Sequence, residues 1–290
     1  MKVSGFTFIR NAIKYDYPIV EAIQSILPIC DEFVVAVGRS EDATLELIKS
    51  IQSAKIKIIE TVWDDSLREG GRVLAEETNK AFAEVAKDAD WAFYIQGDEA
   101  VHEKYLPTIK DAMQRYLSDT EVEGLLFHYL HFYGNYQYVA DSRQWYRKEI
   151  RVIRNKKTIS SYKDAQGFRQ KGQKLNVKQI DAYIYHYGWV RNPAIQQVKV
   201  DNFQALWNTE EALEKILVEA DAFDYSTVDS LAVFEGTHPK IMEARIKQMN
   251  WDFKFDISKK QFILRYKIMH WIESLTGWRI GEYKNYHLLR

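Results

Sequence analysis

Two acidic residues directly follow an apolar stretch in the first half of the chain. Residues 91–95 are apolar and aromatic, and they lead into Gln96-Gly97-Asp98-Glu99. A carboxylate at the end of a buried strand can hold a hard divalent cation that bridges a diphosphate. An N-cap is the alternative, in which Asp98 only accepts hydrogen bonds from the free N–H groups of a following helix. The local sequence leaves both interpretations open.

A histidine within an aromatic stretch is the second candidate. His186 lies in Tyr-Ile-Tyr-His-Tyr-Gly-Trp, and Arg191 follows shortly after it. A histidine in such surroundings is typically hydrogen-bonded in the core. A neutral imidazole beside a carboxylate also suits a Mn²⁺ site, and Arg191 would add a fixed positive charge next to an anionic leaving group. We therefore treat Asp98 and His186 as candidate metal ligands.

Alternating strands and helices must position these residues. Apolar periodicity predicts strands over 3–9, 32–37, 56–60 and 91–95, and helices over 17–27, 42–53 and 72–87. This alternation is typical of an α/β fold with a mainly parallel sheet, which binds ligands at the carboxyl ends of its strands. Aromatic-rich extended segments follow over 125–133, 145–153 and 181–189, and then helices over 194–207 and 209–220, with an amphipathic region over 258–290.

Three segments of the chain occur in the same order as three motifs of a known family. They are the opening strand that runs into Arg10-Asn11, the segment from Asp31 to Thr44, which ends in Gly38-Arg39-Ser40-Glu41-Asp42-Ala43-Thr44, and Gln96-Gly97-Asp98-Glu99. Over about residues 3–190 this order resembles a GT-A fold glycosyltransferase of the family 2 type. The second segment resembles the family's Gly-Ser-x-Asp-x-Thr turn, and the third resembles its Asp-x-Asp metal motif. Gln96 replaces the first Asp of that motif, and Val37 and Gly38 stand where the family usually has acidic residues.

The resemblance implies a GT-A-like, Rossmann-like α/β sheet flanked by helices. It also implies transfer of a sugar from a nucleotide-sugar donor to a glycan or glycoconjugate acceptor, with inversion and with Mn²⁺ or Mg²⁺ held by Asp98 and His186. We expect the donor to contact Arg10, Asn11, Arg39, Arg72, Gln96, Asp98 and Arg191. An equally good interpretation of residues 68–72, which include Arg72, is a mobile turn before the helix.

An inverting enzyme needs a carboxylate that takes the proton from the acceptor hydroxyl. Asp164 is our candidate, since it lies between the metal motif and His186, where the family places that base. A solvated loop acid is an equal interpretation of Asp164, and the rival bases are Asp141, Glu149 and Asp181. The aromatic residues expected to stack on the acceptor sugar, or simply to pack, are Trp145, Tyr146 and Trp189.

Composition limits the class of protein. The chain has 290 residues, and 40 Lys and Arg against 41 Asp and Glu leave no overall charge that would favour nucleic acid. Because Cys30 is the single cysteine, an internal disulfide or a cysteine zinc site is excluded. A short apolar amino terminus and the lack of a long apolar window favour a cytoplasmic protein, peripheral at most to the inner face of a membrane.

Three regions are expected along the chain. Residues 1–190 would form the catalytic domain, with a donor half over about 1–105 and an acceptor half over 106–190, and residues 191–290 a helical extension. Residues 259–290 contain seven Lys or Arg against two Glu, interleaved with aromatics. Such a segment can lie on an anionic membrane, and it can equally pack on its own domain or on a second subunit of a homo-oligomer.

Two rival functions stay open. A nucleotidyltransferase on a similar sheet fits less well, because no glycine-rich basic loop follows the first strand. A non-catalytic subunit that binds a nucleotide or a carbohydrate is kept open by Gln96, Val37 and Gly38, the departures from the family pattern. A zinc hydrolase built on Asp98, His102 and Glu103 with His128 and His131 is disfavoured, because the sequence has no His-Glu-x-x-His motif.

Overall fold

The structure is a computed structural model that describes residues 1–64, 66–67, 69–208, 220–258, 260–262 and 264–290. Its main sheet contains β1 (Val3–Ile9), β2 (Glu32–Gly38), β3 (Ile56–Thr61), β4 (Trp91–Tyr94), β5 (Glu99–Val101), β6 (Gly124–Tyr133), β7 (Tyr138–Ala140), β8 (Lys148–Arg154), β12 (Asn176–Trp189), β13 (Leu231–Val233) and β14 (His287–Leu288). A second, small sheet contains β9 (Ile159–Tyr162), β10 (Gly167–Gln170) and β11 (Gln173–Lys174).

The helices are α1 (Ile19–Ile26), α2 (Thr44–Lys49), α3 (Arg72–Ala83), α4 (Leu106–Arg115), α5 (Pro193–Ala205), α6 (Glu243–Lys247) and α7 (Leu264–Thr276). The last three lie in the part of the chain that we expected to be a helical extension. That part also contributes β13 and β14 to the main sheet.

The main sheet is parallel in its amino-terminal half and mixed beyond it. Its order is β13-β7-β6-β8-β4-β1-β2-β3, with β1 parallel to both β2 and β4, and β2 parallel to β3. Strand β8 is antiparallel to β4 and β6, and β12 pairs in parallel with β6 and antiparallel with β5. The expected α/β class is therefore confirmed, with a mixed sheet in place of a mainly parallel one.

Both faces of the central strands are buried, which explains their nearly continuous apolar sequences. Successive side chains of a strand point to opposite faces. In β2, Phe33 and Val35 pack into one core with α1 and α4, whereas Val34 and Ala36 pack into the other core with α3. The sheet is thus a rigid layer between two cores, and its strand ends are held at fixed positions.

The predicted elements can be compared with the observed ones. The four amino-terminal strands lie within one residue of their predicted ends, whereas the helix predicted over 72–87 ends at Ala83. The N-cap interpretation of Asp98 is wrong, because the next three residues form β5, which pairs with β12, and not a helix. The helix predicted over 209–220 lies, except for residue 220, outside the described residues, as do Arg68 and Lys259.

Helix α7, in the carboxyl-terminal region, has one side that exposes apolar side chains and another that contacts the domain. Helix α7 turns Ile268, Trp271 and Leu275 outward, with 54%, 63% and 66% of their surfaces exposed. Its other side is tied to the domain by an ion pair of 2.6 Å between Glu273 and Arg143. Among the described helices, none has the length and apolar character needed to cross a membrane. Contact of residues 259–290 with a membrane or a second subunit stays a prediction.

Candidate active site

A cavity of about 450 Å³ lies at the carboxyl ends of β1 and β4, where the sequence placed the ligand site. The loop after β1 brings Arg10 and Asn11 to it, and the loop after β4 brings Gln96 and Asp98. The far wall comes from the end of β12 and from α5. That wall contributes, among others, His186, Gly188, Gln196 and Lys199.

Asp98 is surrounded by positive charge. Its Oδ2 accepts a hydrogen bond of 3.1 Å from Nζ of Lys199 and lies 4.0 Å from Nη2 of Arg191. Its Oδ1 lies 3.8 Å from Nε2 of His186. Burial by itself raises the pKa of Asp98, but these neighbours, Lys199 foremost, hold that pKa well below its usual range. The carboxylate is therefore ionised at neutral pH.

The two cations are held in place by buried partners. Arg191 is fully buried, its Nε donates to the Tyr15 carbonyl at 2.7 Å, and its Nη1 donates to the Gly188 carbonyl. Lys199 donates to the same Gly188 carbonyl at 2.9 Å. The ring of Tyr17 lies beneath both cations, 4.9 Å from Cζ of Arg191 and 5.0 Å from Nζ of Lys199. Burial, together with the charge of Arg191, lowers the pKa of Lys199.

Glu99, the other acid of the motif, does not face the cavity. It is fully buried and forms a bidentate ion pair with Arg151, at 2.9 Å to Nε and 2.8 Å to Nη2. The hydroxyl of Tyr129 donates to it as well, and the backbone N–H of Gln96 donates at 3.1 Å. Asp98 thus carries the negative charge at the cavity, while Glu99 fixes the loop to the core.

His186 is both hydrogen-bonded and directed at Asp98. Its Nδ1 lies 3.1 Å from Nδ1 of His131, whose Nε2 in turn contacts the Tyr146 carbonyl at 2.8 Å. Burial lowers the pKa of His186, although the nearby charge of Asp98 opposes this. The imidazole is therefore neutral at neutral pH. The contact with His131 is the one expected of a hydrogen-bonded core histidine. The position of Nε2 next to Asp98 is the one expected of a metal ligand.

The residues around Asp98 do not fit a divalent cation as they are arranged. Mn²⁺ and Mg²⁺ bind preferentially where several oxygen ligands and a surplus of negative charge surround them. Here one carboxylate is paired with two basic side chains, Lys199 and Arg191. Across the described ranges, no group of three or more His, Cys, Asp or Glu side chains is placed to hold a metal. The expected Mn²⁺ or Mg²⁺ stays a prediction.

Asp164 also lines this cavity, from the turn between β9 and β10. The neighbouring carbonyl of Ala165 accepts a hydrogen bond of 3.4 Å from Nε2 of Gln96, which connects this turn to the loop of Asp98. Burial raises the pKa of Asp164 above its ordinary value, with backbone N–H groups and Lys163 opposing that rise. A carboxylate with a raised pKa is a better proton acceptor than an exposed one.

The three rival bases lie elsewhere. Asp141 contacts Lys260 at 3.4 Å, Glu149 is buried in β8, and Asp181 is exposed on β12. The residues described around the cavity do not include any of the three. Asp164 is therefore the candidate that the geometry favours.

The turn at residues 40–44 supports the loop after β1. The side chain of Asn11 accepts a hydrogen bond of 2.8 Å from the backbone of Glu41, and the backbone of Asn11 donates to Ser40 at 3.0 Å. The Thr44 hydroxyl accepts from the backbone of Ala12 at 2.7 Å. These contacts give the Ser40–Thr44 segment a physical role, because they hold Asn11 at the cavity wall.

An aromatic ring covers the end of β2. Trp63 lines the cavity, and Cζ of Arg10 lies 5.3 Å from the centre of its ring. A Cβ atom placed on Gly38 would lie only 2.3 Å from Nε1 of Trp63, so the indole can pack here only against a glycine. Arg39 and Arg72, in contrast, are exposed and are not among the residues that line the cavity.

Three aromatic residues were expected to stack on the acceptor sugar. Two of them, Tyr146 and Trp189, line the cavity. Trp145 is not among its lining residues, but it packs edge-on against Trp189, with 5.9 Å between ring centres. The cavity therefore has an aromatic wall next to its charged end.

Sequence reasoning missed Lys199, Trp63 and Tyr17. Lys199 is the one basic residue of α5, but it belongs to no motif and lies 101 positions from Asp98. Trp63 follows β3, and its position at the end of a parallel strand was the signal that could have identified it. For Tyr17, the sequence offers no signal beyond its place between β1 and α1.

No protein-family model and no curated protein matches the chain. Solved structures do show similarity. One is the crystal structure of TarS from S. aureus. Its sequence is 18% identical over 73% of this chain and 41% of the TarS chain, and the TM-score is 0.40. The chain therefore spans about two fifths of the TarS chain that it matches.

Two further solved structures are similar over shorter stretches. Glucosyl-3-phosphoglycerate synthase from Mycobacterium tuberculosis, in complex with Mn²⁺, UDP and glucosyl-3-phosphoglycerate, is 17% identical over 46% of this chain and 45% of its own, with a TM-score of 0.31. The 4-diphosphocytidyl-2C-methyl-D-erythritol synthase from Anaerococcus prevotii is 8% identical over 53% of this chain and 71% of its own, with a TM-score of 0.35.

Proposed function

We propose that the protein is a glycosyltransferase that moves a sugar from a nucleotide-sugar donor to a hydroxyl group of a glycan or glycoconjugate, with inversion. One observation carries this proposal. A single cavity combines a positively charged end around Asp98, suited to a diphosphate, with a separate half-buried carboxylate, Asp164, suited to a proton acceptor. Direct displacement at a sugar carbon needs these two functions on different sides of the reacting centre.

In the proposed reaction, the carboxylate of Asp164 accepts the proton of the acceptor hydroxyl. The hydroxyl oxygen forms a bond to the anomeric carbon as the bond from that carbon to the diphosphate oxygen breaks. The electron pair of the broken bond leaves with the nucleoside diphosphate. Tyr146 and Trp189 would hold the acceptor sugar, since aromatic rings pack well on the apolar faces of sugar rings.

The donor nucleoside would lie between the ends of β1 and β3. Arg10, Asn11 and Trp63 face the cavity there, and the Trp63 ring offers a flat surface for a base. Gln96 would contribute an amide to the ribose. Because every base can stack on an aromatic ring, the test uses a panel of nucleotides.

The test compares two variants in binding and in turnover. For the wild-type chain, we expect one nucleoside diphosphate and its sugar conjugates to raise the melting temperature, because a ligand of the native state stabilises it. For Asp164→Asn, the same shift should persist, whereas sugar transfer should fall by on the order of 10²–10⁴-fold, the usual contribution of a general base. Asp181→Asn is the matched control, because Asp181 is exposed on β12 outside the cavity.

Three results would contradict the proposal in different ways. Normal transfer by Asp164→Asn would place the base elsewhere. Release of pyrophosphate from a nucleoside triphosphate would identify a nucleotidyltransferase. Binding of nucleotides or glycans without turnover of any donor in the panel would favour a non-catalytic binding subunit.

A further inference from the structure

The charged end of the cavity carries a formal surplus of one positive charge. Asp98 contributes one negative charge, and Lys199 and Arg191 contribute two positive ones, all within 4.0 Å of Oδ2 of Asp98. Exposure of these side chains is low, at 13% for Asp98, 13% for Lys199 and 0% for Arg191. Because water is largely excluded, the surplus acts on any anion in the cavity with little screening.

Lys199 also has donor capacity to spare. An ammonium group has three N–H donors. Within the described residues, Lys199 uses two of them, one to Oδ2 of Asp98 and one to the Gly188 carbonyl. Lys199 lines the cavity, whereas Arg191, which we expected to contact the donor, is not among the described lining residues, and its Nη2 has no hydrogen-bond partner among the described residues. The third donor of Lys199 is therefore available to an oxygen of a ligand.

A divalent cation in the same place would meet an unfavourable field. To bind Oδ2 of Asp98, it would have to displace the ammonium of Lys199 and then lie close to the charge of Arg191. Gln96, at the other motif position, offers only an amide oxygen in place of a second carboxylate. The surroundings of Asp98 thus favour an anion where the Asp-x-Asp resemblance implies a cation.

We propose that Lys199, supported by the buried charge of Arg191, takes the place of a divalent cation and binds the diphosphate of the donor directly. Asp98 is then a positioning residue, because it orients the ammonium and keeps the two basic side chains together. This inference rests on the proposed nucleotide-sugar chemistry. The oxygens of the incoming diphosphate would accept a charge-assisted hydrogen bond from the ammonium of Lys199.

Calorimetric titration tests the inference with ADP, CDP, GDP and UDP as probes, once in EDTA and once in Mn²⁺. For the wild-type chain, the nucleotide that binds should do so in EDTA with an affinity within about twofold of that in Mn²⁺. Lys199→Met should weaken binding in EDTA by about tenfold or more, the scale of one charge-assisted hydrogen bond. Mn²⁺ should restore part of that loss, because the carboxylate of Asp98 no longer has its ammonium partner.

Two further variants control for folding and for general charge. Lys199→Arg keeps the charge and should keep most of the affinity in EDTA. Lys57→Met removes a lysine whose ammonium pairs with Glu84 outside the cavity, and it should bind like the wild type. Melting curves by circular dichroism establish that each variant is folded before it is titrated.

The outcomes separate this inference from the proposed function. Wild-type binding that requires Mn²⁺ would overturn the inference and leave the glycosyltransferase proposal intact. Wild-type affinity of folded Lys199→Met in EDTA would overturn it as well. Failure of all four nucleotides in both buffers would contradict the proposed donor site, and the inference would fall with it.

Discussion

The ion pair between Glu99 and Arg151 gives the most quantitative prediction. Their side chains are 0% and 1% exposed, and two hydrogen bonds join them. Replacing Arg151 by Met keeps most of the side-chain volume but leaves the carboxylate of Glu99 in the core without its counter-charge. Breaking a buried pair in this way costs about 3–5 kcal/mol. At roughly 2–3 °C per kcal/mol for a chain of this length, Tm should fall by about 6–15 °C.

Thermal unfolding followed by circular dichroism checks this value. The matched control is Glu84→Gln, which breaks the ion pair of 2.7 Å with Lys57, because both of those side chains are about half exposed and water already screens their charges. The double variant Glu99→Leu with Arg151→Met removes both charges together and should recover much of the lost stability.

A fall in Tm for Arg151→Met that is no larger than that of Glu84→Gln would refute the reasoning. So would a large fall that the double variant does not reduce.

Two further predictions concern pH and packing. Burial raises the pKa of Glu149 to about 8 in the folded chain, with Arg151 opposing, so the native state binds more protons than the unfolded state between pH 4.5 and about 8. Stability should therefore decline as pH rises through that window, and Glu149→Gln should flatten the decline in Tm, whereas parallel curves for variant and wild type would contradict the assignment. A Cβ on Gly188 would lie 2.5 Å from the His186 ring and 3.0 Å from Oδ2 of Asp98. Gly188→Ala should therefore cost about 1–3 kcal/mol in the free energy of unfolding and weaken nucleotide binding, and urea denaturation with calorimetry would show whether either stays unchanged.

The sequence was sufficient where local pattern decides the structure. Strands β1, β2 and β4 are buried on both faces, so their apolar runs and the turns that flank them mark the strand ends closely. The carboxyl-end rule for parallel strands then directed attention to Asp98 and to the loop after β1, and both line the cavity. Fold class and the position of the cavity were predictable for this reason.

Contacts between residues far apart in the sequence determine the features that local sequence did not predict. Local sequence allowed both a metal-binding carboxylate and an N-cap at Asp98, and the pairing of Glu99 with His186 on β12 excludes the N-cap. The division of roles between Asp98 and Glu99 depends on Arg151, which lies 52 residues further along the chain. Lys199 reaches the candidate site because α5 lines the cavity. No spacing rule links such residues, since their separation along the chain carries no information about their separation in space.

The contact between Asp98 and Lys199 also has a consequence for how the sequence can drift over evolutionary time. The two residues lie 101 positions apart, but each is the other's partner in a largely buried setting. A substitution at one position changes which residues are acceptable at the other, so independent drift at the two sites is disfavoured. Among chains that share this cavity, positions 98 and 199 should therefore covary, and a chain with a neutral residue at 199 should show compensating changes around 98.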